Sequence, residues 1–237
     1  MDIFYHPNGK DYVNRWQEKF ELIPSPELPV GYAGYYLYYD GKRLRLYRSG
    51  DSKGICLRDS MVQKRSNVRN RLAKACGLRQ NVYPEIIDGT GGLGMDAMTL
   101  TSIGCDMHVF ERNTSLWAMI DDYIKIRGIR ISSLYNEDSF DWVLSRRKPC
   151  CDVLYLDPFF PERSRKSLPK KEMQYVRDLC ANEGSDTRWS DFIGSGGMGQ
   201  LASLVRQRIV LKRRLKDPVL DSPSWQIKGK IVRYDVY

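Results

Sequence analysis

Glu85-Ile86-Ile87-Asp88-Gly89-Thr90-Gly91-Gly92-Leu93-Gly94-Met95-Asp96 is the stretch from which the rest of the chain can be read. A short apolar run ends on a carboxylate and a glycine-rich turn follows. Helical spacing then runs through Met95, Met98, Leu100 and Ile103 to Gly104. Strand, glycine turn, helix is the first half of a nucleotide-binding βαβ unit. A backbone without Cβ admits a ligand closely and takes positive φ without strain. Two spacings overlap: Gly89, Gly91 and Gly94 satisfy G-x-G-x-x-G, whereas Asp88, Thr90, Gly92 and Gly94 satisfy D-x-T-x-G-x-G. The turn alone is also compatible with an ordinary tight strand-to-helix connection, so the acids downstream carry the decision.

In a doubly wound sheet, ligands bind beyond the carboxyl ends of the strands. Downstream of Asp88 the pattern predicts a strand over 107–110 ending at Glu111, another over 129–135 leading to Asp138, and another over 152–156 ending at Asp157. Glu111 lies 23 residues after Asp88, the usual place for an acid that accepts from ribose hydroxyls. Asp138 with Ser139 falls where the adenine rim would be. One such acid is readily a helix cap or a surface charge. Four at successive strand ends are hard to attribute to capping.

Asp157-Pro158-Phe159-Phe160 narrows the chemistry. The lone pair of a base amino group is delocalised into the ring, so an enzyme acting there needs hydrogen-bond acceptors at the amino hydrogens and a flat apolar surface for the ring. The Asp157 side chain and the Pro158 carbonyl can accept, and Phe160 can stack. The bland alternative is a strand-ending turn with two core phenylalanines.

The flanks suggest a small N-terminal α+β region over 1–59 and a larger α/β domain over 60–237. A short amphipathic helix is predicted over 11–20, then an extended linker from Pro24 to Pro29. A hairpin follows over 32–47, with a type I′ turn at Asp40-Gly41. Its tyrosine-rich strand suits packing more than base stacking. A basic helix is predicted over 60–76, a helix to about Cys180, a mobile polar stretch over 182–199, a strand over 208–212 and a closing antiparallel pair over 226–237. At 237 residues and 42% apolar the chain can build a real core. It has no apolar run of about 18 residues and no signal-peptide pattern, so a cytoplasmic protein without membrane contact is expected. Six cysteines without C-x-x-C and two histidines argue against a metal site. A net charge of +9 favours a polyanionic partner.

D-x-T-x-G-x-G resembles the first motif of S-adenosylmethionine (SAM)-dependent methyltransferases, and D-P-F-F resembles the [N/D]-P-P-[Y/F] motif of those acting on base amino groups. D-G-T-G-G-L-G-M-D-A at 88–97, E-R-N at 111–113, L-D-P-F-F-P at 156–161, K-K-E-M at 170–173, V-L-K-R at 210–213 and R-Y-D-V-Y at 233–237 together resemble the bacterial small-subunit ribosomal RNA guanine-N2 methyltransferases, the RsmJ family. The resemblance covers roughly residues 35–237. It implies a class I, Rossmann-like fold with a seven-stranded, mostly parallel sheet, a SAM donor leaving as S-adenosylhomocysteine, and a guanine in 16S rRNA or the small subunit as acceptor, with no obligate protein partner.

The matching positions imply donor contacts at Met95, Asp96, Glu111, Arg112, Asp138, Ser139 and Asp157; the glycine-turn residues Asp88, Thr90 and Gly92 join them. Asp157, Pro158 and Phe160 are the expected catalytic residues. Lys64, Arg65 and Arg69 before the first Rossmann strand, and Arg163, Arg165, Lys166, Lys170 and Lys171 after the D-P-F-F loop, are expected to contact phosphates. Family members carry glycines before the first Rossmann strand, where Gln63–Arg71 here has none, and the first thirty or so residues match nothing in the family. A nicotinamide-dependent oxidoreductase would share the glycine turn and Glu111 but leaves D-P-F-F unexplained. A non-catalytic RNA-binding module would have no use for four strand-end acids.

Overall fold

The computed structural model describes residues 1–61, 70–158, 170–182 and 187–237. The N-terminal sheet comprises β1 (Asp2–Tyr5), β2 (Glu21–Pro24), β3 (Tyr35–Tyr39) and β4 (Leu44–Arg48), in the order β2-β1-β3-β4, with a short α1 (Lys10–Val13) between its first two strands. Alternation along β3 sends Leu37 and Tyr39 into the main core with Ile3 and Trp16. Tyr36 and Tyr38 face the other way. There they pack with Phe4 and Tyr47 beneath Ile23, Leu28 and Tyr32, and Tyr36 stacks on Tyr47 at 5.4 Å. The tyrosine-rich strand is therefore used for packing.

Several local expectations are corrected. The helix over 11–20 stops at Val13 and continues as one 3-10 turn, Asn14–Trp16, which still brings Val13, Trp16 and Phe20 into one core. Pro24 closes an edge strand instead of opening a linker; an edge position tolerates the missing N–H. The hairpin register pairs Tyr39 with Leu44, so the turn is Asp40–Arg43. Only Gly41 within it has positive φ, which excludes type I′, where both central residues need it.

The larger sheet is laid down by α2 (Arg71–Ala75), β5 (Glu85–Asp88), α3 (Met95–Ile103), β6 (Asp106–Phe110), α4 (Thr114–Arg127), β7 (Ser133–Tyr135), α5 (Ser139–Leu144), β8 (Cys151–Leu156), α6 (Lys171–Asn182), α7 (Arg188–Gly194), α8 (Met198–Ala202), β9 (Val205–Arg214), β10 (Trp225–Lys228) and β11 (Val232–Val236). Its strand order is β10-β11-β9-β8-β5-β6-β7. Only β11 runs antiparallel, to both its neighbours. This is the class I methyltransferase arrangement.

Alternation again divides the strands between two layers. Ile86, Val109, Val153, Tyr155, Val210 and Tyr234 pack with α3, α4 and α6 in a core that continues into the N-terminal sheet. Ile87, Leu154, Leu156, Ile209 and Leu211 pack with α5, α7 and α8. The polar stretch over 182–199, read as mobile, holds α7 and α8 instead. Trp189, Ile193, Met198 and Leu201 are buried at helical spacing among the glycines and serines that masked them; residues 183–186 lie outside the described set. Within the predicted basic helix over 60–76, the described portion is helical at Arg71–Ala75.

The last strand carries a buried ion pair. Asp235 is 0% exposed and Arg233 2%, and Arg233 Nε donates to Asp235 Oδ1 at 2.9 Å. Arg233 Nη1 also donates to the carbonyls of Arg214, Leu215 and Asp217, and Nη2 to that of Pro218, so one guanidinium holds the end of β9 and the first residues of the β9–β10 connection. Gln226 Nε2 donates to Asp235 Oδ1 at 2.8 Å.

Candidate active site

The glycine turn is held from three sides. Gly91 N–H donates to the Phe110 carbonyl at 2.8 Å, and a Cβ at Gly91 would meet that oxygen at 3.0 Å. Gly94 has φ +72° and opens α3, where a Cβ would press on Ile120 at 3.2 Å. The Ser139 hydroxyl donates to the Gly89 carbonyl at 2.5 Å and accepts from Trp189 Nε1 at 3.0 Å. Ser139 therefore reaches the turn from the far end of the sheet.

Glu111 follows β6 directly and is 7% exposed. Its two oxygens accept from Gly92 N–H at 2.5 Å and Asn113 N–H at 2.7 Å. Asn113 caps α4 through Ser115 and Leu116 N–H, so one carboxylate joins the glycine turn to the start of that helix. Each carboxylate oxygen has capacity for more than one hydrogen bond. Asn136 Nδ2 donates to the Glu111 and Arg112 carbonyls, fixing this corner. Asp138 caps α5 through Phe140 N–H at 2.8 Å, and its other oxygen pairs with Arg188.

The second half of the site is a ring of charge. Asp88 ends β5, is 2% exposed, and accepts from Thr90 N–H at 3.1 Å. Thr90 Oγ1 in turn accepts from Asp157 N–H at 2.6 Å, which pins the residue after β8 to the glycine turn. Lys212 on β9 places its ammonium 2.8 Å from Asp157 Oδ2 and 2.7 Å from Asp96 Oδ2. The Tyr155 phenol donates to the same Asp96 oxygen. Burial pushes the Asp88 carboxyl up to about 7; the Thr90 N–H opposes this, while Asp96 and Asp157 add to it against the pull of Lys212. For Lys212, burial disfavours the charge, but Asp157 and Asp96 outweigh it and hold the ammonium well above its ordinary value. Among the described residues, three acidic side chains thus surround one cation. A cationic ligand at the mouth of the glycine turn would favour the ionised form of all three, and Glu111 suits ribose hydroxyls, so the donor set fits SAM.

Asp88, Thr90, Gly92, Asp96, Glu111, Ser139 and Asp157 gather at the carboxyl ends of adjacent strands. Met95 and Arg112 flank them, and Pro158 is buried behind Asp157. Phe160, Arg163, Arg165, Lys166, Lys64, Arg65 and Arg69 lie outside the described residues. Lys170 is exposed, while Lys171 is drawn to Asp51 at 2.6 Å. The sequence reading missed Lys212, Tyr155, Arg188 and Trp189 as parts of this site. One signal was present for Lys212: it directly follows the apolar run Ile209-Val210-Leu211, as Glu111 and Asp157 follow theirs.

The chain matches the family described as "Putative SAM-dependent methyltransferase" over residues 30–237. It is 30% identical to the ribosomal RNA small subunit methyltransferase J of Pseudomonas syringae pv. syringae, over 97% of this chain and 87% of that protein. It is also 30% identical to the Pseudoalteromonas translucida protein of the same name, over 96% and 93%. The crystal structure of a SAM-dependent methyltransferase from Neisseria gonorrhoeae superposes with a TM-score of 0.67 at 22% identity, covering 100% of this chain and 95% of that one. Among the described residues no helix is long and apolar enough to cross a membrane.

Proposed function

The chain belongs to the ribosomal RNA small subunit methyltransferase J family of SAM-dependent methyltransferases, and we propose that it methylates the exocyclic N2 of a guanine in 16S rRNA, in the cytoplasm. The observation that carries this reading is the placement of Asp157. Its backbone is tied to the glycine turn through Thr90 Oγ1 at 2.6 Å, and its carboxylate lies in the ring formed with Asp96 and Lys212. When bound, the donor supplies an electrophilic methyl on a sulfonium. In this reading Glu111 accepts from the ribose, Met95, Arg112, Asp138 and Ser139 border the adenosine, and Asp88 and Asp96 face the cationic end. The Asp157 carboxylate and the Pro158 carbonyl accept the amino hydrogens of guanine N2, orienting its lone pair. Phe160 stacks on the ring. The protein's main contribution is alignment, because neither reactant needs covalent activation; the sulfur leaves with the C–S electron pair, and the methylated nitrogen then gives up one proton to the Asp157 carboxylate, which passes it to water. The match to a SAM-dependent methyltransferase family leaves the nicotinamide reading without support.

The test is methyl transfer from labelled donor to fractionated RNA, followed by digestion to nucleosides. N2-methylguanosine from small-subunit RNA is expected; label in any other nucleoside overturns the reading.

Glu111 gives a separate prediction. Glu111→Ala removes an ionised acceptor and loosens the Gly92 and Asn113 N–H groups at once. S-adenosylhomocysteine affinity should fall ~10-fold or more, as a charge-assisted bond contributes about 1.5–3 kcal/mol. Unchanged calorimetric affinity in the folded variant would remove Glu111 from the donor site.

The basic residues provide a third. RNA affinity should fall steeply with salt through Lys64, Arg65, Arg69, Arg163, Arg165, Lys166, Lys170 and, less fully because of Asp51, Lys171. Neutralising Arg163 and Arg165 together should flatten the log–log slope by roughly 1.5–2. An identical slope would reduce them to solvated charges.

A further inference from the structure

The placement of Lys212 goes beyond charge balance. A lysine ammonium carries three N–H donors and no acceptor. Asp96 and Asp157 take two of them, at 2.7 and 2.8 Å. The Tyr155 phenol fixes the Asp96 carboxylate from behind, so the ammonium is held in position before any acceptor base arrives. The side chain keeps 20% of its surface exposed and is not sealed into the core. Among the described residues the third N–H has no partner. The site therefore presents an anchored acceptor, Asp157, beside an anchored donor, Lys212.

The Watson–Crick edge of guanine presents an acceptor, O6, beside two donors, N1–H and the N2 amino group. The corresponding edge of adenine presents the 6-amino donor beside the N1 acceptor and has no 2-amino group. A carboxylate next to an ammonium matches the guanine order. Resting on the reading of Asp157 as the acceptor for the guanine amino edge, we propose that Lys212 donates its third N–H to guanine O6 and is a specificity-determining residue of the site. An ammonium that merely neutralised Asp96 and Asp157 would act on every base alike.

The experiment compares single-turnover transfer to an rRNA segment carrying either guanine or 6-thioguanine at the methylated position. The thio base keeps N1–H and the N2 amino group and exchanges only O6 for a weak acceptor. Wild type is expected to favour guanine by ~10-fold, the scale of a charge-assisted hydrogen bond. Lys212→Met should lose ~10-fold or more on guanine and treat the two bases within about twofold of each other. Lys212→Arg, which keeps charged donors, should retain most of the preference. An equal loss on both bases in Lys212→Met overturns the assignment. A wild-type preference below about twofold overturns it without any variant, so the test survives a variant that does not fold. Failure of wild type to form any N2-methylguanosine instead overturns the guanine reading on which the inference rests.

Discussion

Asp157→Ala is expected to keep its fold and most of its RNA affinity while losing ~10²-fold or more in single-turnover methyl transfer. The fold should survive because Lys212 keeps its second partner, Asp96, at 2.7 Å, and the Asp157 N–H still reaches Thr90. The rate should not. The amino nitrogen gains positive character as the methyl arrives, so a carboxylate accepting from it binds the transition state more strongly than the ground state. Phe160→Ala should lose less, because stacking holds a base with about 1–3 kcal/mol and does not sense the change in charge. Single-turnover rates at saturating donor and RNA separate the two. A larger defect in Phe160→Ala, or an Asp157→Ala defect rescued fully by more donor, would reverse these roles.

What the sequence exposed and what it hid follow from how far apart in the chain the interacting groups lie. Ile86 through Gly94 is legible because strand, turn and helix signals are all local. Asp88, Glu111 and Asp157 are legible because each ends its own strand or follows it directly, whereas Asp138 lies three residues beyond β7 and caps α5. Lys212 meets Asp96 across 116 positions, a contact created by the sheet order that sets β9 beside β8. No local pattern encodes that order. Trp189 was hidden differently: its run of serines and glycines outweighed four apolar residues at helical spacing. β1 was too short to show a period, and its pairing with β3 spans more than thirty positions. The Asp40–Arg43 turn went astray for a smaller reason. Asp-Gly signals a two-residue turn, but the Asp40 carboxylate accepts from Lys42 and Arg43 N–H and stabilises a longer one.

Asp235→Ala should be the most destabilising single change among those considered, at about 3–5 kcal/mol. Asp235 is wholly buried beside Arg233, and removing one partner leaves an uncompensated guanidinium in the core. Its carbonyl partners in 214–218 cannot balance a full charge, so the β9–β10 connection that they belong to should loosen with it. Gln226 would lose its acceptor as well. For a domain stable by about 5–15 kcal/mol, this is a large fraction of the total. Replacing both members, Arg233→Met with Asp235→Leu, should cost less than Asp235→Ala alone, because the desolvation penalty of the cation disappears with it. The pair lies on the sheet face opposite Lys212, as the alternation Arg233, Tyr234, Asp235 requires. Asp235→Ala should accordingly lose stability while its folded fraction binds S-adenosylhomocysteine like wild type. Urea unfolding of the three proteins, followed by calorimetry below the transition, measures both. A shift in Asp235→Ala under about 1 kcal/mol, or a double variant less stable than it, would show that this ion pair is not what secures the closing strand.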